Sequence, residues 1–141
     1  MANTYASEVT GLGTTPLGNA EGAVQGGRIR RFRATVELSG QASGDTVTLA
    51  RVPAGYAFSY GALTTSASLS SSTVAVGVDG TPAKYKAAAT FTDTDTPTLF
   101  GKAAAIAGDP LTDGEDVLLT VGTAALPSSG TLVVDLFYSA P

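Results

Sequence analysis

Carboxylates are the most plentiful reactive side chains in this sequence, and they gather in two short segments. One is Asp93-Thr94-Asp95 and the other spans residues 109–116. Oxygen ligands at this density could hold calcium, and a suitably spaced pair of carboxylates could hydrolyse a glycosidic bond. The second segment lacks the ligand spacing of an EF-hand loop, and Asp and Gly are also common in turns for backbone reasons. We therefore expect no metal and no cofactor at these acids.

The sequence contains no histidine and no cysteine. Without His there is no His-dependent catalytic triad, no His metal ligand and no usual general base near neutral pH. Without Cys there is no disulfide, no thiolate zinc site and no Cys nucleophile. No P-loop, dinucleotide-binding glycine motif or nucleophile elbow occurs either. These residues predict a protein that is not an enzyme.

Four of the eight basic residues fall within six positions: Arg28, Arg30, Arg31 and Arg33. Arg pairs well with carboxylates and phosphates, so the cluster could contact another subunit or nucleic acid. The alternative is a solvated strand face that is balanced by acids of the same chain. In a regular strand the first two arginines point opposite to the last two unless a bulge intervenes. We expect a subunit contact, because the net charge of −4 disfavours nucleic acid and anionic membranes.

The composition favours assembly with other subunits. Charged residues make up only 14% of the chain, where about 25% is ordinary. Much of the surface must therefore be neutral or apolar, which suits a subunit covered by neighbours, although Thr, Ser and Gly can also coat a monomer. The 141 residues are enough for one domain. No signal-peptide pattern or membrane-span-length apolar run is present, so we expect a soluble protein.

The first 27 residues differ from the rest of the chain. They are rich in Gly, and their only charged side chains are Glu8 and Glu21. Their large apolar residues fit neither a helical nor a strand period: Tyr5, Val9, Leu12, Leu17 and Val24. A disordered tail would have a similar composition. We expect residues 1–27 to form an extended arm, about 90 Å long at full stretch, with those five residues as anchors on a partner.

From residue 28 onward the pattern is typical of short strands. Apolar and polar residues alternate, and Pro, Gly and Asp separate the segments. The predicted strands are residues 31–38, 46–50, 56–62, 74–78, 84–91, 98–102, 117–122 and 131–138. In the third strand we expect Tyr56, Phe58, Tyr60 and Ala62 to share one face, with the aromatic residues in the core. The pair Asp79-Gly80 predicts a hairpin turn.

The final strand has apolar residues on both faces, Leu132, Val134, Leu136 and Tyr138 on one and Val133 and Phe137 on the other. That pattern indicates a central strand or one that meets a partner. The Ala-rich stretches are too short for an ordinary helix. Together these features predict an all-β fold, a β-sandwich or jelly-roll-like domain over residues 28–141.

Four segments give the sequence a resemblance to a known group of proteins. They are MANTYASEVTGLGTTPLGNAEGAVQGGRIRRFRATV, VPAGYAF, AVGVDGTPAKYKAAATF and LPSSGTLVVDLFYS. Together they resemble small head proteins of tailed bacteriophages, the decoration or cement proteins on the outside of the capsid. The likeness runs over nearly the whole chain and lies in its layout rather than in a short catalytic-type motif.

The resemblance implies a structural virion protein, made in the host cytoplasm, that stabilises contacts between major-capsid subunits. Such proteins are typically β-sandwich or jelly-roll modules, often homotrimers, and many clamp neighbouring capsomers with an N-terminal extension. Carried onto this chain, the extension is residues 1–27 and the arginine cluster lies at its root. Two alternatives stay open. The first is another virion subunit such as a tail tube or head fibre. The second is a carbohydrate-binding sandwich, for which exposed clustered aromatics would be the sign.

Overall fold

The computed structural model describes residues 26–141, which form eight strands and one helical turn. The elements are β1 (Arg28–Glu37), β2 (Thr46–Val52), β3 (Ala57–Thr65), β4 (Thr73–Val78), β5 (Thr81–Thr90), β6 (Thr98–Phe100), α1 (Ala103–Ile106), β7 (Glu115–Gly122) and β8 (Thr131–Ala140). Within this part of the chain, no helix is long and apolar enough to cross a membrane. The predicted arm lies outside the described residues as far as residue 25.

The strands form two four-stranded antiparallel sheets. Sheet A has the order β1-β8-β3-β6, and sheet B has the order β2-β7-β4-β5. The pairing is nested, because β1 pairs with β8, β2 with β7, β3 with β6 and β4 with β5. Rolling one long hairpin so that its strands alternate between two sheets gives this arrangement, which is that of a jelly roll. The predicted all-β sandwich is confirmed.

The inner faces of the two sheets form the core. The side chains of β8 that were predicted to share a face are all fully buried: Leu132, Val134, Leu136 and Tyr138. The alternate residues of β7 and β4 pack against them from sheet B, among them Val117, Leu119, Val74 and Val76. Burial of one such side chain stabilises the fold by about 1.5–3 kcal/mol. The apolar pattern of β8 on both faces reflects its central place in sheet A.

The strands run between two ends of the sandwich, which we call lower and upper. The lower end is where β1 begins, and it carries the turns at 53–56 and 79–80 and the segment 101–114. The upper end carries the loops 38–45, 66–72, 91–97 and 123–130. Backbone hydrogen bonds join the loops at each end. Leu126 N–H donates to the Gln41 carbonyl at the upper end, and Leu111 N–H donates to the Tyr56 carbonyl at the lower end.

A bulge in β3 corrects one prediction. The register of β3 against β8 shifts between Phe58 and Tyr60, so the residue between them is unopposed and the side-chain alternation changes phase. Phe58 is 6% exposed in the core, whereas Tyr60 is 40% exposed. The prediction that Tyr60 and Ala62 share the core face with Phe58 is therefore wrong. Both lie on the outer face of sheet A.

Candidate functional site

The arginine cluster lies on β1, an edge strand of sheet A. The β1–β8 register runs without a shift from Arg28 opposite Ala140 to Glu37 opposite Thr131. Because no bulge intervenes, Arg31 and Arg33 lie on the outer face, and Arg28 and Arg30 have the parity of the core-facing residues. All four are nevertheless exposed, since they occupy the edge and the lower part of the sheet.

Arg33 has an acidic partner in its own chain. Its Nε lies 2.9 Å from Oδ1 of Asp135, and its Nη2 lies 3.0 Å from Oδ2. The two residues are directly opposite each other in the ladder, which allows this two-pronged pair. The hydrogen bond to Asp135 and the charge of Asp135 raise the pKa of Arg33. Among residues 26–141, Arg28, Arg30 and Arg31 have no such ion pair.

Apolar side chains surround these arginines on the outer face of sheet A. Ile29 is 57% exposed, Tyr60 40% and Leu99 70%. The ring of Tyr60 stacks on the half-buried ring of Phe137, with centroids 4.5 Å apart and planes at 17°, and Phe137 is opposite Arg31. Single exposed apolar residues are normal, but a cluster on one face is typical of an interaction site. We call Ile29, Arg31, Tyr60, Leu99 and Phe137 the A-face patch.

The outer face of sheet B has a different character. Its outward side chains on β2 and β7 are mainly Thr and charged residues, for example Thr46, Thr48, Thr120 and Asp116. Within the described residues, every strongly exposed large apolar side chain lies on the outer face of sheet A or, for Ile106, in α1. The two faces are therefore not equivalent as surfaces for a partner.

A buried polar cluster lies between the sheets near the lower end. The Tyr85 hydroxyl donates to the Glu115 carboxylate, and Nζ of Lys84 lies 2.7 Å from Glu115 Oε2. Burial, together with the hydrogen bond to Glu115, raises the pKa of Tyr85 far above its usual value, and burial also raises that of Tyr138. The Tyr138 hydroxyl is buried near that of Tyr85, but within residues 26–141 it has no partner at hydrogen-bond distance and angle. The rings of Tyr85 and Tyr138 pack edge to face in the core, with centroids 6.2 Å apart.

The remaining chemical candidates are sparse. An open groove of about 430 Å³ lies between β5 and α1, with Lys84 and Lys102 among small residues of its lining. In the described part of the chain no three carboxylates converge on one point, as a calcium site would require. Two acids of the segment 109–116 form ion pairs, Glu115 with Lys84 at 2.7 Å and Asp116 with Arg51 at 2.8 Å.

The structure brings together only part of the predicted partner-binding set. The four arginines lie along one strand, whereas the arm residues are outside the described residues: Tyr5, Val9, Leu12, Leu17 and Val24. Ile29, Tyr60 and Leu99 were not predicted as surface residues of this site. The apolar second face of β8, with Phe137, was the one signal in the sequence that pointed to this surface.

Comparison with solved structures gives three chains with the same fold, all from capsid structures. A chain of the cyanophage Pam1 capsid asymmetric unit matches with a TM-score of 0.68 and 20% identity, over 82% of this chain and 86% of that chain. A chain of the Ralstonia phage GP4 capsid matches with a TM-score of 0.66 and 19% identity, over 82% and 86%. A chain of the acidic stable capsid of Helicobacter pylori bacteriophage KHP30 matches with a TM-score of 0.60 and 16% identity, over 80% and 88%.

Comparison of the sequence itself gives no such match. No protein-family model matches the chain, and no curated protein matches it. At identities of 16–20%, the likeness to the capsid chains shows that they share the jelly-roll-like sandwich.

Proposed function

We propose that this protein is a structural component of a tailed-phage virion that binds the outside of the capsid and stabilises contacts between major-capsid subunits. The observation that carries the proposal is the fold likeness to chains of three phage capsids, each covering at least 80% of both chains. The fold alone does not fix a function. Three unrelated features of the chain also support an assembly role, namely its low charge content, its A-face patch and its lack of catalytic residues.

The sandwich suits such a role mechanically. Its two sheets share one core, so a load applied at one surface is carried by the whole module. A stable interface buries about 800 Å² on each partner, an area that one sheet face or one end of a small sandwich can supply. A decoration protein needs no chemistry beyond this burial, since each contact it adds between capsid subunits raises the work of separating them.

The proposal extends to the parts of the chain that the structure does not describe. Residues 1–27 form the arm, and its spaced apolar residues bind a partner together with the arginines at its root. The protein is a homotrimer on the outer surface of the virion, is made in the host cytoplasm, and binds neither nucleic acid nor membrane. Edge-to-edge pairing of an extended segment with a sheet of the partner is a known way to gain affinity.

Co-sedimentation with capsids that lack this protein tests the proposal. The full-length chain is mixed with purified capsids at increasing concentration, and its free mass is measured in parallel. We expect saturable binding at a fixed ratio to the major capsid protein, and a higher force or temperature needed to disrupt the decorated capsids. Absence of binding would contradict the proposal. In that case, rings or tubes formed by the free protein would indicate a tail component.

One observation supports a second candidate, a carbohydrate-binding sandwich. Tyr60 presents an exposed aromatic ring that Phe137 holds in place from behind, and such rings stack on sugars. Within residues 26–141 it is the one strongly exposed aromatic side chain, whereas a sugar site commonly combines several. A glycan-binding screen with the full chain and with Tyr60→Ala decides between the two candidates. Specific binding that the substitution abolishes would favour the carbohydrate module.

A further inference from the structure

The basic residues of the chain are confined to one half of the sandwich. On β1 there are four basic residues, all within its first six positions, from Arg28 to Arg33. Arg51 lies at the lower end of β2, and Lys102 lies in the segment below β6. The two lysines of β5 lie at or below its middle, where Lys86 is opposite Val76. Since the chain has eight basic residues in all, none of them lies in the upper part of the molecule.

The upper end carries only negative charge. Its four loops contain Asp45, Asp93 and Asp95, and Glu37 ends β1 beside them. All four carboxylates are exposed, and no Lys or Arg occurs in these loops. The rest of the described chain holds eight basic residues against six carboxylates, a formal charge of +2, whereas the upper end has −4. The positive excess lies on β1, since the turns and the segment of the lower end carry Asp79, Asp109 and Asp113 against Lys102. The sandwich is therefore polarised along its strands.

The exposed apolar side chains follow the same division. Ile29 lies near the start of β1, and Ile106 lies in α1 at the lower end. Tyr60 is level with Arg31 across the sheet. Leu99 is level with Arg33, at the middle. No strongly exposed large apolar residue of the described chain lies above that row. Exposed apolar and unpaired basic groups together are typical of a surface that a partner covers.

The chain that precedes β1 joins the sandwich at this same end. Arg28 begins β1, so the 27 residues before it must start from the lower end. If these residues bind a partner, they hold the lower end of the sandwich close to that partner. A short tether raises the effective concentration of a second contact, so the lower end is the part of the sandwich that most readily binds the same partner.

We infer that the protein sits on its partner with the lower end inward, so that the start of β1 and the lower part of the A-face patch, with Arg30, Arg31 and Ile29, contact a protein surface bearing carboxylates among apolar side chains. The acidic upper end points outward. This orientation rests on the proposed function, in which that partner is the major capsid protein. Opposite charges at the contact favour association and fix its direction, because like charges would meet if the sandwich approached with the acidic end first.

A protein partner explains the surface better than nucleic acid does. Three of the eight basic residues are already paired within the chain, namely Arg33 with Asp135, Arg51 with Asp116 and Lys84 with Glu115. Ile29 is apolar and 57% exposed between two of the remaining ones, Arg28 and Arg30. A surface for the phosphate backbone is instead dominated by unpaired Lys and Arg.

Single-cysteine labelling tests the orientation. The sequence has no native cysteine, so the introduced thiol is the one that reacts. Ser129→Cys places a thiol in an exposed upper loop, and Ala54→Cys places one in an exposed lower turn. Each variant is bound to capsids and then treated with a maleimide reagent too large to enter an interface. We expect the rate at position 54 to fall about tenfold or more on binding, because an interface excludes solvent from its centre, and the rate at position 129 to stay unchanged. Both thiols should react equally in the free protein.

Matched charge reversals give an independent readout. Arg30→Glu/Arg31→Glu inverts two positive charges at the lower end, and Glu37→Lys/Asp93→Lys inverts two negative charges at the upper end. We expect the first variant to bind capsids about tenfold more weakly than the unaltered chain, with a larger loss of affinity at low salt. The second variant should bind within about twofold of the unaltered chain. Melting curves check that both variants fold, which their exposed positions favour.

The outcomes separate this inference from the proposed function. If the unaltered chain does not bind capsids, the proposed function fails and the orientation fails with it. If it binds but position 129 is the protected one, or if only the upper-end variant loses affinity, the orientation alone is overturned. Fluorescence anisotropy with a DNA duplex covers the remaining possibility. Binding of DNA at physiological salt, abolished by Arg30→Glu/Arg31→Glu, would assign the arginines to nucleic acid and overturn the inference.

Discussion

The ring of Phe100 lies against the backbone of Gly61, so closely that a Cβ at position 61 would be 2.3 Å from its Cζ atom. The two residues are partners in the β3–β6 ladder. Because β6 has only three residues and forms the edge of sheet A, the contact of the ring with a bare backbone is a large part of what holds it. The missing side chain of Gly61 thus lets β6 dock and places Leu99 on the outer face.

Gly61→Ala should therefore destabilise the sandwich. The added methyl group overlaps the ring, and β6 or the ring must move, at a cost of about 1–3 kcal/mol for overpacking of this kind. Urea denaturation followed by circular dichroism measures the loss.

The double variant Gly61→Ala/Phe100→Ala supplies the control for this prediction. With the ring removed, the methyl group has space, so the glycine substitution should become nearly neutral in the Phe100→Ala background. The difference between the two backgrounds is the coupling energy of the pair. Additive effects of the two substitutions would show that the ring is not the cause.

Removal of the Tyr85 hydroxyl and removal of the Tyr138 hydroxyl should have different effects on the free energy of unfolding. Tyr138→Phe removes a buried hydroxyl that has no hydrogen-bond partner among the described residues, so the free energy of unfolding should stay unchanged or rise by up to about 1 kcal/mol. Tyr85→Phe removes the donor to Glu115 and should lower it by about 1–3 kcal/mol. Both variants keep the ring, so packing is matched. Equal losses from the two substitutions, measured by urea denaturation, would contradict the structure.

The same two tyrosines predict a loss of stability in alkali. Burial raises the pKa of each in the folded state, whereas an unfolded tyrosine ionises near pH 10. Above about pH 10 the unfolded chain loses protons that the folded chain keeps, so the free energy of unfolding falls by about 1.4 kcal/mol per pH unit for each such group. Below that pH the contribution is fully present. Denaturation between pH 8 and 11 should show the slope.

Tyr85→Phe provides the control for this prediction. It removes one of the two buried phenols, so the fall in the free energy of unfolding per pH unit should be halved. Tyrosinate absorbance gives a second check on the folded protein. Of the five tyrosines in the chain, two should resist ionisation until unfolding occurs. Ionisation of all five near pH 10 in the folded protein would contradict the prediction.

Removal of residues 1–27 should separate folding from attachment. β1 begins at Arg28, so the truncated chain keeps every strand that the structure describes, and its unfolding transition should remain cooperative. Under the proposed function, binding to capsids should weaken, because the proposed apolar anchors of the arm are removed. In the full-length chain, Leu12→Ser/Leu17→Ser should weaken binding in the same direction without shortening the chain. Unimpaired binding by both variants would refute the role of the arm.

Much of the fold could be predicted because strand periodicity is a local property. The alternation of β8 and the turn at Asp79-Gly80 are both as expected. The face of Tyr60 was not, because one unopposed residue in β3 reverses the alternation and nothing in the sequence marks its position. The order of the strands in each sheet could not be predicted from the sequence either, because it depends on which distant segments pair.

The candidate surface shows the same division between local and distant information. The arginines and their alternation follow from spacing alone. That Asp135 neutralises Arg33 depends on a partner 102 residues away, which only the register of β1 against β8 reveals. The polarity of charge along the sandwich likewise requires the up-and-down course of all eight strands.

The nested pairing has a consequence for how the protein is made. Among the strands of residues 26–141, β1 is hydrogen-bonded to β8 alone in sheet A, so the first of these strands to leave the ribosome must wait for the last one. Contacts between residues this far apart in sequence give a high contact order, for which folding typically takes milliseconds to seconds. Until β8 arrives, the arginine-bearing strand has both of its edges open. The charges on β1 then act as a safeguard, since like-charged strands from neighbouring nascent chains repel one another.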